Sequence, residues 1–138
     1  MNVYFGLFLT AFSALSLEIT LVRLLSVTTW YHLAFFAIST AMLGMTAGAT
    51  RVYLQPQQFR PERQSMALSG SGIGLALSIP ITLTLLCLVP VDLQISAMSF
   101  LALVLTTVFC ALPFYFAGTI VSAALTKYKL PMGGLYAS

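Results

Sequence analysis

The chain has 138 residues, of which 59% are hydrophobic and only 7% are charged, and its mean hydropathy is +0.99. A soluble domain of this composition would lack a polar surface, so we predict an all-α integral membrane protein with a single transmembrane domain over residues 1–138. The formal net charge of +3 rests on six scattered basic residues, which excludes a nucleic-acid-binding surface. Membrane lipids are therefore the first partners that the composition predicts.

The first two apolar stretches predict membrane helices at about residues 4–27 and 30–53, because about 20 apolar residues cross the ~30 Å hydrocarbon layer. A short polar break at 26–29 separates them and predicts a tight helical hairpin. His32 follows this break beside a tryptophan and a tyrosine, whose rings favour the headgroup level. We interpret His32 as a candidate polar site that is more typical of an interfacial residue than of a ligand.

A polar loop and two further helices complete a predicted bundle of four transmembrane helices. The segment 54–65 contains two prolines and several glutamines, which predicts a loop in water. A third helix is predicted at about 69–89. The fourth apolar stretch, 95–126, would form a helix of about 48 Å. Proline removes a backbone donor, so Pro113 predicts that this long helix is kinked or broken there.

The basic residues predict which side of the membrane each end faces. With four spans, the two termini and the loop 54–65 lie on one side, and Arg23 is the basic residue nearest the other side. Cytoplasmic segments carry the excess of lysine and arginine. We therefore expect a multi-pass protein of a bacterial-type inner (plasma) membrane, with both termini and the loop in the cytoplasm. Five residues carry this prediction: Arg51, Arg60, Arg63, Lys127 and Lys129.

Glu18 is the most informative candidate polar residue, because it lies well inside the first apolar stretch. An ionisable group at that depth is costly and usually faces the interior of a bundle. Arg23 is turned about 140° from Glu18 around the helix, so a direct pair within the helix is unfavourable. Three interpretations stay open: a structural pin that sets helix register while Arg23 extends outward, a site that handles a cation or proton, and a contact with a partner subunit.

Two GxxxG motifs predict close helix packing. Gly44 and Gly48 lie in the second predicted helix, and Gly70 and Gly74 lie at the start of the third. Glycine lets helix backbones approach closely in lipid, where van der Waals packing drives association. We expect packing within this bundle, with packing against another protein as the alternative.

The stretch 112–118 combines Pro113, three aromatic residues and Gly118, and it predicts a helix break. A broken helix can frame a transport site because its freed backbone groups face a cavity, although most proline kinks do not. The sequence contains no GxGxxG, Walker A, HExxH or GxSxG motif, and it has only three carboxylates. We therefore predict no catalytic residue, no metal site and no cofactor.

The order of these motifs resembles the membrane part of spermidine-synthase-like proteins, a membrane-bound family similar to polyamine aminopropyltransferases. That family opens with a helix carrying Leu-Glu and Arg-Leu-Leu, and its second helix ends in Leu-Gly-x-x-x-Gly. The matching residues here are 17–18, 23–25 and 43–48, followed by the proline-aromatic-glycine stretch 112–118 and the ending 134–138. The resemblance covers nearly the whole chain.

The resemblance implies polyamine chemistry, in which an aminopropyl group moves from decarboxylated S-adenosylmethionine to putrescine in a soluble Rossmann-like domain after the helices. No position of this chain corresponds to the cofactor loop or the polyamine-binding acids of that domain. We therefore expect the chain alone to be no enzyme but a non-catalytic, structural or anchoring module, either part of a longer protein with a C-terminal domain or a short relative. The alternatives are an accessory subunit of a larger respiratory or photosynthetic membrane complex and, ranked last, part of a transporter.

Overall fold

The residues that the structure describes form a bundle of four α-helices. The computed structural model describes residues 3–28, 33–59, 63–88 and 97–127, and these residues include no strand. The all-helical prediction with four helices is confirmed. In chain order the helices are α1 (Val3–Thr28), α2 (Leu33–Leu54), α3 (Gln64–Leu88) and α4 (Ala97–Lys127).

Where the predicted helix ends fall on described residues, the helices begin and end within about a residue of them, except at the start of α3. The helix begins at Gln64 rather than at about residue 69, so the loop predicted at 54–65 is shorter in the structure. Hydropathy marks where a chain enters hydrocarbon rather than where a helix begins, and the polar residues Gln64 and Ser65 extend α3 beyond the apolar stretch. Three predicted helix ends lie outside the described residues: the start of the second helix at 30, the end of the third at 89 and the start of the fourth at 95.

The last helix is long, as predicted, and it contains no break; the predicted kink at Pro113 stays a prediction. α4 has 31 residues and continues through both Pro113 and Gly118, which corresponds to a length of about 46 Å. Pro113 is among the most deeply buried side chains of the described residues. A neighbouring helix supplies the hydrogen bond that this proline removes, as the candidate site below describes.

The four helices alternate in direction around α4, which packs against each of the others. Gly44 and Gly48 of α2 meet successively later residues of α4, so these two helices run parallel. In contrast, Gly74 of α3 meets Phe116, whereas the later Thr82 meets Phe109, so α3 is antiparallel to α4. α1 is antiparallel to α4 as well, because its early and late buried residues join α4 in the reverse order.

Three segments are long and apolar enough to cross a membrane: Tyr4–Val27, Gln64–Leu88 and Phe100–Thr126. The length and composition of these segments indicate that the protein is embedded in a membrane and crosses it more than once. α2 is less apolar than these segments, since it carries hydroxyl side chains, two glycines and Arg51. The two most extensive helix contacts are made by α4, with α2 and then with α3.

The core consists mainly of alanine and leucine side chains with two buried phenylalanines, Phe59 and Phe114, and the outward faces are apolar too. α1 contributes a helical stripe of buried residues to the core: Thr10, Ala14, Leu17, Leu21 and Leu25. The outer face of α1 exposes large side chains such as Phe8, Phe12 and Ile19. A bundle that is apolar on all sides is stable in hydrocarbon rather than in water.

Candidate functional site

The contact between α2 and α4 is the closest helix pairing among the described residues. A Cβ atom placed on Gly44 would lie 2.8 Å from Phe114 Cβ, and one on Gly48 would lie 2.7 Å from the backbone nitrogen of Thr119. From the other side, a Cβ on Gly118 would lie 2.7 Å from the Cα atom of Met45. Glycine is therefore required at three positions, because backbone meets backbone there.

Thr119 occupies the centre of this α2–α4 interface and is completely buried. Its hydroxyl donates to the Tyr115 carbonyl at 2.8 Å within α4, and the Gly48 carbonyl of α2 lies 3.5 Å away. The absence of a side chain at Gly48 is what brings that carbonyl so near. The buried hydroxyl is thus satisfied by backbone acceptors, as a polar group in an apolar interior must be.

Phe59 covers the end of the α2–α4 interface. It is 1% exposed, and it forms one buried cluster with Val52 of α2 and Ala123 of α4. The turn that carries it is held by backbone hydrogen bonds from Gln55 to Arg51 and from Gln58 to Gln55. The polar composition of this segment predicts a loop and does not identify Phe59 as a core residue. The signal was present, since a phenylalanine between polar residues is costly to leave in water.

Pro113 accounts for a hydrogen bond between α3 and α4. A proline nitrogen carries no hydrogen, so the carbonyl four residues earlier, that of Phe109, loses its helical donor. The Thr82 hydroxyl of α3 donates to this carbonyl at 2.8 Å. Thr82 is itself buried. The freed acceptor is therefore satisfied across the helix pair, which keeps α4 continuous and ties α3 to it.

Arg51 is a half-buried cation at one end of the α2–α4 interface. It lies in the last turn of α2, where a positive charge interacts favourably with the helix dipole. Its guanidinium carbon lies 5.8 Å from the centre of the Tyr115 ring, and one of its nitrogens lies 3.4 Å from Gln58 Oε1. No carboxylate contacts Arg51 within the part of the chain that the structure describes.

The predicted polar residues of α1 do not come together. Glu18 is half-buried at the edge of the core-facing side, about 100° around the helix from the buried Leu17. Arg23 is exposed on the opposite side of α1. In the described ranges neither residue has a hydrogen bond or an ion pair. His32, the third predicted polar residue, lies outside the described residues.

The second GxxxG motif, in α3, differs from the first. A Cβ atom on Gly70 would meet no atom within 4 Å, and the same holds for Gly72. A Cβ on Gly74 would lie 2.7 Å from the Phe116 ring, so this position meets a side chain rather than a backbone. Within the described residues, the motif therefore contributes one contact to the bundle, through Gly74.

Helix packing is the chemistry that the described site supports. The described ranges contain no group of three or more His, Cys, Asp or Glu residues close enough to hold a metal ion. Cys87 and Cys110 are free thiols. Comparison of the chain with protein-family models, curated proteins and solved structures found no match. The geometry of the bundle itself therefore carries the functional argument.

Proposed function

We propose that this chain is a non-catalytic, membrane-embedded helical module with a structural or anchoring role. The α2–α4 interface is the observation that carries the proposal. Its glycines and Thr119, together with Thr82 on α3, are all engaged in holding helices together. A rigid bundle of this kind suits a module that positions other protein parts at the membrane.

We include α2 among the membrane spans, so that the module crosses the membrane four times. The alternating directions of the helices support this, because α2 runs parallel to α4 and lies along it. The 22 residues of α2 extend about 33 Å, close to the ~30 Å hydrocarbon thickness. Two effects compensate for the lower hydropathy of α2. Its hydroxyl groups donate to carbonyls of the helix, and one side of α2 packs against α4.

We further propose that the termini and the loop between α2 and α3 face the cytoplasm of a bacterial-type inner membrane. Arg51 and Arg63 lie at the same end of the bundle, near the start of α1 and the end of α4. This end carries the basic excess, as cytoplasmic segments do.

Cysteine labelling tests this orientation. In a chain with Cys87 and Cys110 replaced by serine, a membrane-impermeant maleimide should label Val27→Cys in intact cells. The same reagent should label Gln57→Cys only after permeabilisation. Labelling of Gln57→Cys in intact cells would contradict the orientation, and equal labelling at both positions would contradict the four-span topology.

The resemblance to spermidine-synthase-like proteins gives the anchoring role its most specific form. In that form the helices hold an aminopropyltransferase-like domain at the membrane. Purification of the native protein in mild detergent, followed by measurement of its intact mass, tests this. A polypeptide longer than this chain supports the anchor, whereas a stoichiometric second polypeptide supports the accessory-subunit alternative.

The accessory-subunit alternative is favoured by one specific observation, the open space beside Gly70 of α3. A Cβ atom on Gly70 would meet no atom within 4 Å, which leaves room there for a helix of another subunit. The transporter alternative depended on a break at Pro113, and α4 is continuous there.

Replacement of Glu18 tests whether its role is structural. We expect Glu18→Leu to change the assembly state of the native complex, measured by size-exclusion chromatography, more than any activity that the complex has. Glu18→Gln, which keeps a polar group of the same size, is the matched control. Normal assembly combined with a lost activity would overturn the non-catalytic proposal and favour the cation or proton site.

A further inference from the structure

An open groove runs along α2 on the side that faces Tyr115 of α4. Its volume is about 740 Å³, and it extends from Ser39 to Gln55, with Arg51 close to the Gln55 end. A smaller depression of about 270 Å³ continues it along α4 towards Thr107. The two share Leu43, Ala47 and Tyr115, so they form one continuous surface.

Between Ser39 and Thr50 the groove is apolar in effect, although three hydroxyl groups line it. Ser39, Thr46 and Thr50 each donate to a carbonyl one turn earlier in α2, at 3.0, 2.8 and 2.8 Å. These donors are therefore already used within the helix. The remaining lining, including Met42 and Leu43, is hydrocarbon and thioether, which suits an acyl chain rather than a polar ligand.

The Gln55 end of the groove carries one positive charge, that of Arg51. The Arg51 guanidinium lies over the Tyr115 ring and contacts the neutral amide of Gln58. A guanidinium has five N–H donors, and the hydrogen bond to Gln58 uses one of them, so other donors are left for an external anion. Arginine presents several donors in a planar arrangement that matches the oxygens of a phosphate.

The length of the groove along α2 is close to the thickness of the hydrocarbon of a single bilayer leaflet. Arg51 and Ser39 are separated by three turns and more of α2, about 18 Å along the helix axis. One leaflet of hydrocarbon is about 15 Å deep. If Arg51 lies at the headgroup level, as the proposed membrane placement requires, the apolar part of the groove ends near the middle of the bilayer.

We propose that this groove binds one anionic phospholipid, with its phosphate on Arg51 and one acyl chain along Met42, Leu43 and Ala47. A free phosphate ion would use Arg51 but not the apolar groove. A helix from another polypeptide would fill the groove but leave the charge of Arg51 uncompensated unless it also brought an acid. A phospholipid satisfies both features with a single molecule.

Native mass spectrometry of the purified protein in detergent tests the proposal, and it does so independently of membrane orientation. Phosphatidylglycerol is compared with phosphatidylcholine of the same acyl chains, in which a choline compensates the phosphate charge. Arg51→Gln removes the cation, and Ala47→Trp fills the groove at an exposed position. Arg63→Gln is the control, since Arg63 is exposed at the same end but does not line the groove.

We expect the native chain to retain one phosphatidylglycerol in preference to phosphatidylcholine. Loss of a charge-assisted phosphate contact should weaken phosphatidylglycerol binding about tenfold in Arg51→Gln, whereas Arg63→Gln should bind normally. Ala47→Trp should weaken both lipids. Thermal unfolding identifies any variant that fails to fold, and Met42→Trp then replaces Ala47→Trp, because Met42 is exposed.

Three outcomes would overturn the proposal. Unchanged phosphatidylglycerol binding by Arg51→Gln would remove Arg51 from the site, and equal loss in Arg63→Gln would reduce the effect to the general charge of that end. Displacement of the lipid by inorganic phosphate, together with normal binding by Ala47→Trp, would indicate a free-anion site. Copurification of a second polypeptide that Ala47→Trp releases would identify the groove as a helix-docking surface.

Discussion

The two GxxxG motifs of this chain have the same spacing and the same lipid-compatible surroundings, but they do different things. In α2, Gly44 and Gly48 meet the backbone of α4, and Gly118 completes the contact from the other side. In α3, Gly70 meets no atom of the described residues, and Gly74 meets a phenylalanine ring. The motif indicates that a close approach is permitted; the partner that approaches depends on the rest of the fold.

The difference follows from what lies on the facing helix. Opposite α2, α4 presents Gly118 and Thr119, which are small enough for the axes to come together. Opposite α3, α4 presents Phe116 and the carbonyl of Phe109, so the helices are held by a ring contact and a hydrogen bond instead. Close packing needs small residues on both helices.

The largest expected effect tests the end of the α2–α4 interface. Phe59→Ala should lower the free energy of unfolding by about 3 kcal/mol, because a deeply buried aromatic ring is removed and leaves a cavity. The measurement is an SDS titration of the protein in detergent micelles, followed by circular dichroism. Tyr53→Ala is the control, since Tyr53 is 83% exposed and should change the value by less than about 0.5 kcal/mol. Equal effects would mean that Phe59 does not stabilise the interface.

The next effect compares the two motifs directly, through the same substitution in each. Gly48→Ala should lower the free energy of unfolding by about 2 kcal/mol, since its Cβ would press on the backbone of α4. Gly70→Ala should be neutral or stabilising by up to about 1 kcal/mol, because alanine favours helix and the space is open. The same SDS titration measures both. A loss of similar size at Gly70 would indicate a contact outside the described residues or with a second chain.

A smaller effect tests the hydrogen bond that replaces the one lost at Pro113. Thr82→Val should lower the free energy of unfolding by about 1–2 kcal/mol, because the Phe109 carbonyl is left without a donor. Thr84→Val is the control, since the Thr84 hydroxyl donates to the Pro80 carbonyl of its own helix and is exposed.

A second substitution sharpens that test. Pro113→Ala returns a backbone donor to α4, so in the Thr82→Val background it should recover part of the loss. The coupling free energy of this double-mutant cycle, measured from the same SDS titrations, should be favourable. Additive effects would show that Thr82 stabilises the bundle by some means other than the Phe109 carbonyl.

Much of the fold could be predicted from hydropathy because the solvent is hydrocarbon. Long apolar stretches must form helices there, since each backbone group needs an internal partner. Hydropathy was less informative for α3, which begins at Gln64 in polar sequence, and for α4, which continues through Pro113. The site was predictable only in part: Gly44 and Gly48 were identified, whereas Phe59, Thr82 and the position of Arg51 over Tyr115 were not.

By itself the sequence determined that this protein is an all-helical bundle with apolar outer faces, because composition decides which solvent a surface can face. Tertiary structure decided which glycines meet a neighbouring backbone and which carbonyl receives a threonine hydroxyl. It also decided that Glu18 is half-buried, whereas Arg23 is exposed. These features depend on the rotation and pairing of whole helices, and a local pattern of residues carries no information about which helix lies opposite.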